Sequence, residues 1–140
     1  MRRDRGFTVL ELLATLAIVA VLAGLGVATL VDLIATSRVA GAARAAASGF
    51  RLAREQALVH GAAVEVRFDA TARAWDMRAA GGSVLAVHGL PPGVAFARLP
   101  ARARVLFGGL GTAENATVTF AANGRQRSVI VNQRGRVRVQ

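Results

Sequence analysis

Leu12 to Val31, LLATLAIVAVLAGLGVATLV, is an uncharged run of twenty residues. At ~1.5 Å per residue it makes a helix of roughly 30 Å, the hydrocarbon thickness of a bilayer. Ahead of it lies MRRDRG, with Arg2, Arg3 and Arg5 against Asp4. This basic flank keeps the N-terminus in the cytoplasm and sends residues 32–140 across the membrane. An ordinary cleaved secretory signal has an apolar core of about 7–15 residues with a small-residue cleavage site behind it. Here the run is longer and passes directly into a helical pattern. A plain signal anchor accounts for the length and the flanks but not for Glu11, an acid at the mouth of the run where ionisable groups are costly and usually functional.

Arg5-Gly6-Phe7-Thr8-Val9-Leu10-Glu11-Leu12-Leu13 resembles the leader and cleavage site of type IV prepilins. The resemblance implies that prepilin peptidase cuts after Gly6 and that the new N-terminal Phe7 is methylated. Glu11 then becomes the fifth residue of the mature chain. In that class the Glu pairs with the N-terminal amine of a neighbouring pilin or pseudopilin subunit during assembly, which answers the need of a buried carboxylate for a partner. The resemblance divides the chain into a leader, 1–6, a transmembrane and assembly helix, 7–31, and a periplasmic pilin-like domain, 32–140. The chain would cross the bacterial inner membrane once.

The rest of the composition excludes most chemistry. The chain has 140 residues, a formal charge of +10 and no cysteine, and all 18 of its basic residues are Arg. Disulfides, thiolate metal sites, a Cys nucleophile, a Schiff-base lysine and a P-loop lysine are therefore absent. With only His60 and His88 available, most acid/base and metal constellations lack their parts. His60 reads as a helix-end residue and His88 as a strand-end or turn residue. Gly24-Leu25-Gly26 lies inside the apolar run, and Gly109-Leu110-Gly111 lacks a third glycine and a helix signal, so neither supports a nucleotide site. The reading is a non-enzyme without a cofactor or metal.

No proline interrupts residues 7–60, so a long helix is expected, locally softened by Gly24, Gly26, Gly41 and Gly49. From Val39 onward Val39, Ala43, Ala46, Phe50, Ala53 and Ala57 form one apolar face, with Arg44, Arg51, Arg54 and Glu55 elsewhere. That face predicts a helix packed on its own sheet, with Gly61 as C-cap. After Gly61 the period becomes two: Val64–Phe68, Ala74–Met77, Ser83–Val87, Val94–Phe96, Arg104–Phe107, Thr117–Ala121 and Ser128–Val131 read as short strands. Gly81-Gly82, Pro91-Pro92-Gly93, Gly108-Gly109 and Asn123-Gly124 read as turns. The predicted class is α+β, a long N-terminal helix to about residue 60 packed on an antiparallel β-domain. Trp75, one aromatic in an alternating strand among seven in the whole chain, reads as core and not as a base-stacking platform.

Leu52-Ala53-Arg54-Glu55-Gln56-Ala57 with Gly61 and the following strand resembles the GspH/FimT branch of this superfamily. So do Phe120 to Gly124, Ser128 to Val131 and Gly135-Arg136-Val137-Arg138, which match its C-terminal hairpin. That branch holds type II secretion pseudopilin H and the minor pilin FimT, and the two imply different cargoes.

The charge of the C-terminus bears on the choice. Residues 121–140 contain Arg125, Arg127, Arg134, Arg136 and Arg138 and no acid. In a strand Arg136 and Arg138 share a face at a spacing of roughly 6.6 Å, with Val137 and Val139 packing inward. Guanidinium forks suit phosphate. Gly124-Arg125-Gln126-Arg127 repeats the Gly-Arg-x-Arg pattern, so both pairs could flank one sheet edge. In FimT such a motif is associated with DNA binding in natural transformation. The resemblance thus implies a subunit that holds double-stranded DNA by its backbone without reading sequence. The alternative is a type II secretion pseudopilus subunit that moves folded proteins, with the arginines an ordinary solvated face.

Overall fold

The computed structural model describes residues 8–140, without the side chains of residues 25–28. Gly6 and Phe7 lie outside the described residues. The elements are one helix, α1 (Val9–His60), and eight strands: β1 (Val64–Asp69), β2 (Ala74–Ala79), β3 (Val84–Gly89), β4 (Ala95–Arg98), β5 (Arg104–Phe107), β6 (Ala116–Ala122), β7 (Arg125–Val131) and β8 (Val137–Val139). The chain divides into two units, Met1–Ile34 and Ala35–Gln140.

In the first unit the Thr8 hydroxyl accepts the Glu11 N–H at 3.2 Å, an N-cap on the opening turn of α1. Residues 8–24 and 29–34 are all exposed. Leu12, Leu13, Leu16, Ile18, Val19, Val21, Leu22, Leu30 and Val31 are among them, so the segment has no polar side to turn to water. It is long and apolar enough to cross a membrane.

In the second unit α1 buries the face that the periodicity predicts: Val39, Ala43, Ala46, Phe50, Ala53 and Ala57, extended by Ala35, Ala42 and Ala47. Alanines let the strands approach the helix closely. Gly49 lies on this face because Trp75 covers it: a Cβ there would meet the indole Cη2 at 2.2 Å. Gly49 thus serves contact rather than softness. The helix ends where Gly61 turns to φ +59, with the Ala62 N–H donating to Ala57 O at 3.2 Å.

The strands form two antiparallel four-stranded sheets, β3-β2-β1-β5 and β4-β6-β7-β8, where the sequence predicts a single β-domain. One aromatic chain joins them under the helix. Phe50 of α1 meets Phe68 and Phe107 of the first sheet at 6.0 and 6.1 Å between ring centroids. Phe68 meets Phe96, and Phe96 meets Phe120 of the second sheet at 5.5 Å. Trp75 is buried and stacks on His88 at 4.2 Å. The last two predicted strands grow, β6 and β7 reaching to Ala122 and Arg125 around the Asn123-Gly124 turn, and Val137–Val139 adds an eighth strand beside β7.

Candidate nucleic-acid interface

The five C-terminal arginines sit on or beside β7 and β8, and the register decides where each goes. Val129 pairs with Val139, Ile130 with Arg138 and Val131 with Val137. Val129 and Val131 are buried under α1, so Arg138, on the opposite parity, belongs to the face away from the core. Arg136 shares that parity and is exposed, as is Arg138. Val137 is half-buried against the core, but Val139 does not pack inward as expected: it lies at the free end of the edge strand and stays 40% exposed.

The turn before β8 is tightly built. The Asn132 side-chain oxygen accepts the N–H groups of Arg134 and Arg136 at 3.1 and 2.9 Å, and the Gly135 N–H donates to Asn132 O at 2.8 Å. Gly135 takes φ +68. A Cβ at Gly135 would come within 2.6 Å of both Arg54 Nε and Gly111 O. Arg54 Nε itself donates to Gly111 O at 3.1 Å. The helix thus holds the Gly111 loop through one guanidinium, against which the Gly135 turn packs, and the glycine of the Gly-Arg-x-Arg stretch is there because nothing larger fits.

This arrangement opens a hollow of about 670 Å³ lined by Arg51, Arg54, Glu55, Leu58 and residues 135–138. Arg51, Arg54, Glu55 and Leu58 follow the i, i+3, i+4, i+7 spacing of one helix flank, beside the buried Phe50, Ala53 and Ala57. The sequence reading put Arg51 and Arg54 off the apolar face without linking them to the C-terminal arginines. That flank spacing was the available signal. Four arginines and one glutamate surround the hollow, and Glu55 forms no ion pair with them among the described residues.

The two Gly-Arg-x-Arg stretches do not meet at one edge. Phe120 pairs with Arg127 and Ala122 with Arg125, so these arginines continue the core-facing parity of β7 past the end of the core. They line a separate hollow with Thr36, Val39, Gly124 and Gln126. Thr36–Val39 and Arg51–Leu58 are about 25 Å apart along α1. β7 carries Arg125 and Arg127 toward one end of the domain, and the turn into β8 carries Arg134 and Arg136 toward the other. Arg134 is exposed in that turn.

The remaining arginines of the β-domain differ in their surroundings. On the outer face of the first sheet Glu65 accepts from Arg67 at 2.8 Å and from Arg104 at 3.0 Å, and Asp76 pairs with Arg78. Burial alone would raise the Glu65 carboxyl. The hydrogen bonds and charges of Arg67 and Arg104 outweigh it and hold the group below the ordinary glutamate value of 4.5.

A sequence profile of the family described as Type II transport protein GspH matches residues 42–135, well over half of the chain. The chain belongs to the GspH family. A second profile, the prokaryotic N-terminal methylation motif, matches residues 1–27 and so contains Gly6, Phe7 and Glu11. Among solved structures the fold is similar to the minor pseudopilin EpsH from the type 2 secretion system of Vibrio cholerae. The TM-score is 0.61 at 18% identity, over 74% of this chain and 96% of that one. It is also similar to the type IV minor pilin FimU of Pseudomonas aeruginosa, with a TM-score of 0.63 at 20% identity, over 74% of this chain and 89% of the other. At these identities the likeness is one of fold. No match was found among the curated proteins.

Proposed function

We propose that this GspH-family chain is a filament subunit, a minor pilin or pseudopilin, that is built into a periplasmic filament and holds double-stranded DNA by its backbone. In this reading prepilin peptidase removes residues 1–6 after Gly6, Phe7 becomes the methylated N-terminus, and residues 7–31 hold the subunit in the inner membrane. Glu11 meets the amine of a neighbouring subunit during assembly. Residues 32–140 face the periplasm. The subunit carries no catalytic residues.

The observation that supports the DNA reading is the convergence of Arg51 with Arg136 and Arg138 around one open hollow at the edge strand. Three exposed guanidinium groups on a rigid helix and a clamped turn can each meet a phosphate, and none is presented in a way that reads bases. Arg54 is engaged with Gly111 and serves the framework.

A second reading, a type II secretion pseudopilin that carries no DNA, is favoured by the family profile and by Glu55, whose carboxylate opposes a polyanion in the same hollow. Binding of a labelled duplex to the full chain in detergent micelles over a salt series separates the two. Three phosphate contacts give a log-log salt slope near −3. Arg136→Ala/Arg138→Ala is expected to remove about two units of that slope, while Arg98→Ala/Arg102→Ala keeps it. Absence of binding at low salt, or equal loss in both double variants, makes the secretion reading the answer.

A further inference from the structure

Leu110 is 91% exposed, more than any other large apolar side chain among the described residues. Its loop is nevertheless tightly built. The Gly108 N–H donates to Thr112 O and the Gly111 N–H to Gly108 O, both at 2.8 Å. The glycines on either side of the leucine press on the end of α1. A Cβ at Gly109 would meet the carbonyl carbon of Gly61 at 2.4 Å, and one at Gly111 would meet Leu58 Cδ2 at 3.1 Å. Between two inward contacts, Leu110 is left to the outside. Leu58 is itself 46% exposed, so apolar surface continues from the loop to the helix end.

This knob adjoins the arginine hollow. Arg54 Nε donates to Gly111 O, and the Gly135 turn closes on the same carbonyl. Leu110 and Arg136 each lie one Cα step of about 3.8 Å from that contact, so their Cα atoms are within about 14 Å of each other. Leu58 lines the hollow together with Arg51, Arg136 and Arg138. A protein partner that covered Leu110 would also have to meet these guanidinium groups. A duplex supplies both needs at once: phosphates on its outside, and stacked bases between which an apolar side chain can be driven.

We propose that Leu110 is a wedge that enters the minor groove beside the phosphates held by Arg51, Arg136 and Arg138 and unstacks one base step. The wedge rests on the duplex reading proposed above. It makes no hydrogen bond to a base edge, so recognition stays free of a sequence code. It does favour duplexes that open easily: flexible pyrimidine–purine steps, and nicked or mismatched sites, where unstacking costs least. The rigidity of the loop is what the task needs, because a leucine that folds back onto the protein on contact opens nothing.

The full chain in detergent micelles is given a duplex with 2-aminopurine at a central TA step, whose fluorescence rises when the base unstacks. The wild type is expected to raise it at least about twofold at saturation, Leu110→Ala to leave it unchanged, and Leu110→Phe, a larger wedge, to keep the rise. Leu110→Ala removes no cation, so its salt slope should stay near −3. Its melting temperature should stay within about 2 °C, because the side chain is exposed. A nicked duplex should compete about threefold better than an intact one for the wild type and equally for Leu110→Ala. A wild type that binds duplex with that slope but gives no rise overturns the wedge alone and leaves Leu110 to a protein contact. An equal rise with Leu110→Ala, or a fall in its salt slope, overturns the wedge as well. Absence of duplex binding at low salt overturns the wedge and the duplex reading together.

Discussion

The two sheets use the same residue type for different ends. On the first, Arg67, Arg78 and Arg104 stand within ion-pair reach of Glu65 or Asp76, so their charge is spent inside the domain. On the second, Arg136 just ahead of β8 and Arg138 within it stand beside a strand, β7, that likewise holds no acid. A paired arginine ties strands together. Arg136 and Arg138, exposed where the sheet offers no carboxylate, keep their charge for the surroundings, and the strand only aims it.

The change expected to disturb this contrast most carries no charge. Gly135→Ala forces a Cβ against Arg54 and Gly111 O at a residue with φ +68. It is expected to cost about 2–4 kcal/mol in chemical denaturation and to weaken duplex binding with all 18 arginines retained. Unchanged binding would mean that the turn does not present Arg136 and Arg138. Next in size, Arg136→Ala/Arg138→Ala should lower duplex affinity at low salt by about tenfold or more while leaving the melting temperature within about 2 °C. A fall in stability comparable to that of a first-sheet arginine would erase the difference between the sheets.

Glu65→Gln makes the converse test. The Glu65 carboxyl lies below its ordinary 4.5 in the folded chain, so its contribution is complete above the unfolded value. It is lost as pH falls through the lowered folded value. Thermal melts should show the wild type losing stability below about pH 4.5 and the variant losing less there. At neutral pH the variant should be weaker by about 1 kcal/mol or less, because Arg67 is half exposed and the pairs are screened. Duplex binding should not change. The smallest effect is expected from Glu55→Gln, which removes the one acid from the edge-strand hollow and should tighten duplex binding about two- to threefold. If binding is unaffected, the polyanion does not enter that hollow.

Much of the architecture was legible in the chain because it rests on local periodicities. The alternation after Gly61 located seven of the eight strands, and the Val39–Ala57 stripe named the buried face of α1 residue by residue. What the alternation could not carry was pairing. Strands of similar length and composition fit several partners, so the division into two sheets, and the aromatic chain that joins them through Phe50, had to come from packing. The site divides in the same way. The arginines of β7 and β8 stood out as a run without acids, but Arg51, Arg54 and Glu55 lie some eighty residues earlier and join Arg136 and Arg138 only through the seating of the edge strand against the helix.

The sequence by itself determined the apolar run, the leader motif around Gly6, Phe7 and Glu11, the helix face and the surplus of arginine. Each is a matter of composition or of spacing along one element. Only the tertiary structure decided that two copies of one short motif face different ends of the domain, and that a glycine is required where Arg54 crosses the turn. The physical reason is the antiparallel course of β7 and β8. Residues close in the chain start at opposite ends of adjacent strands, and the parity of each strand assigns one pair to the helix side and the other to the outer face.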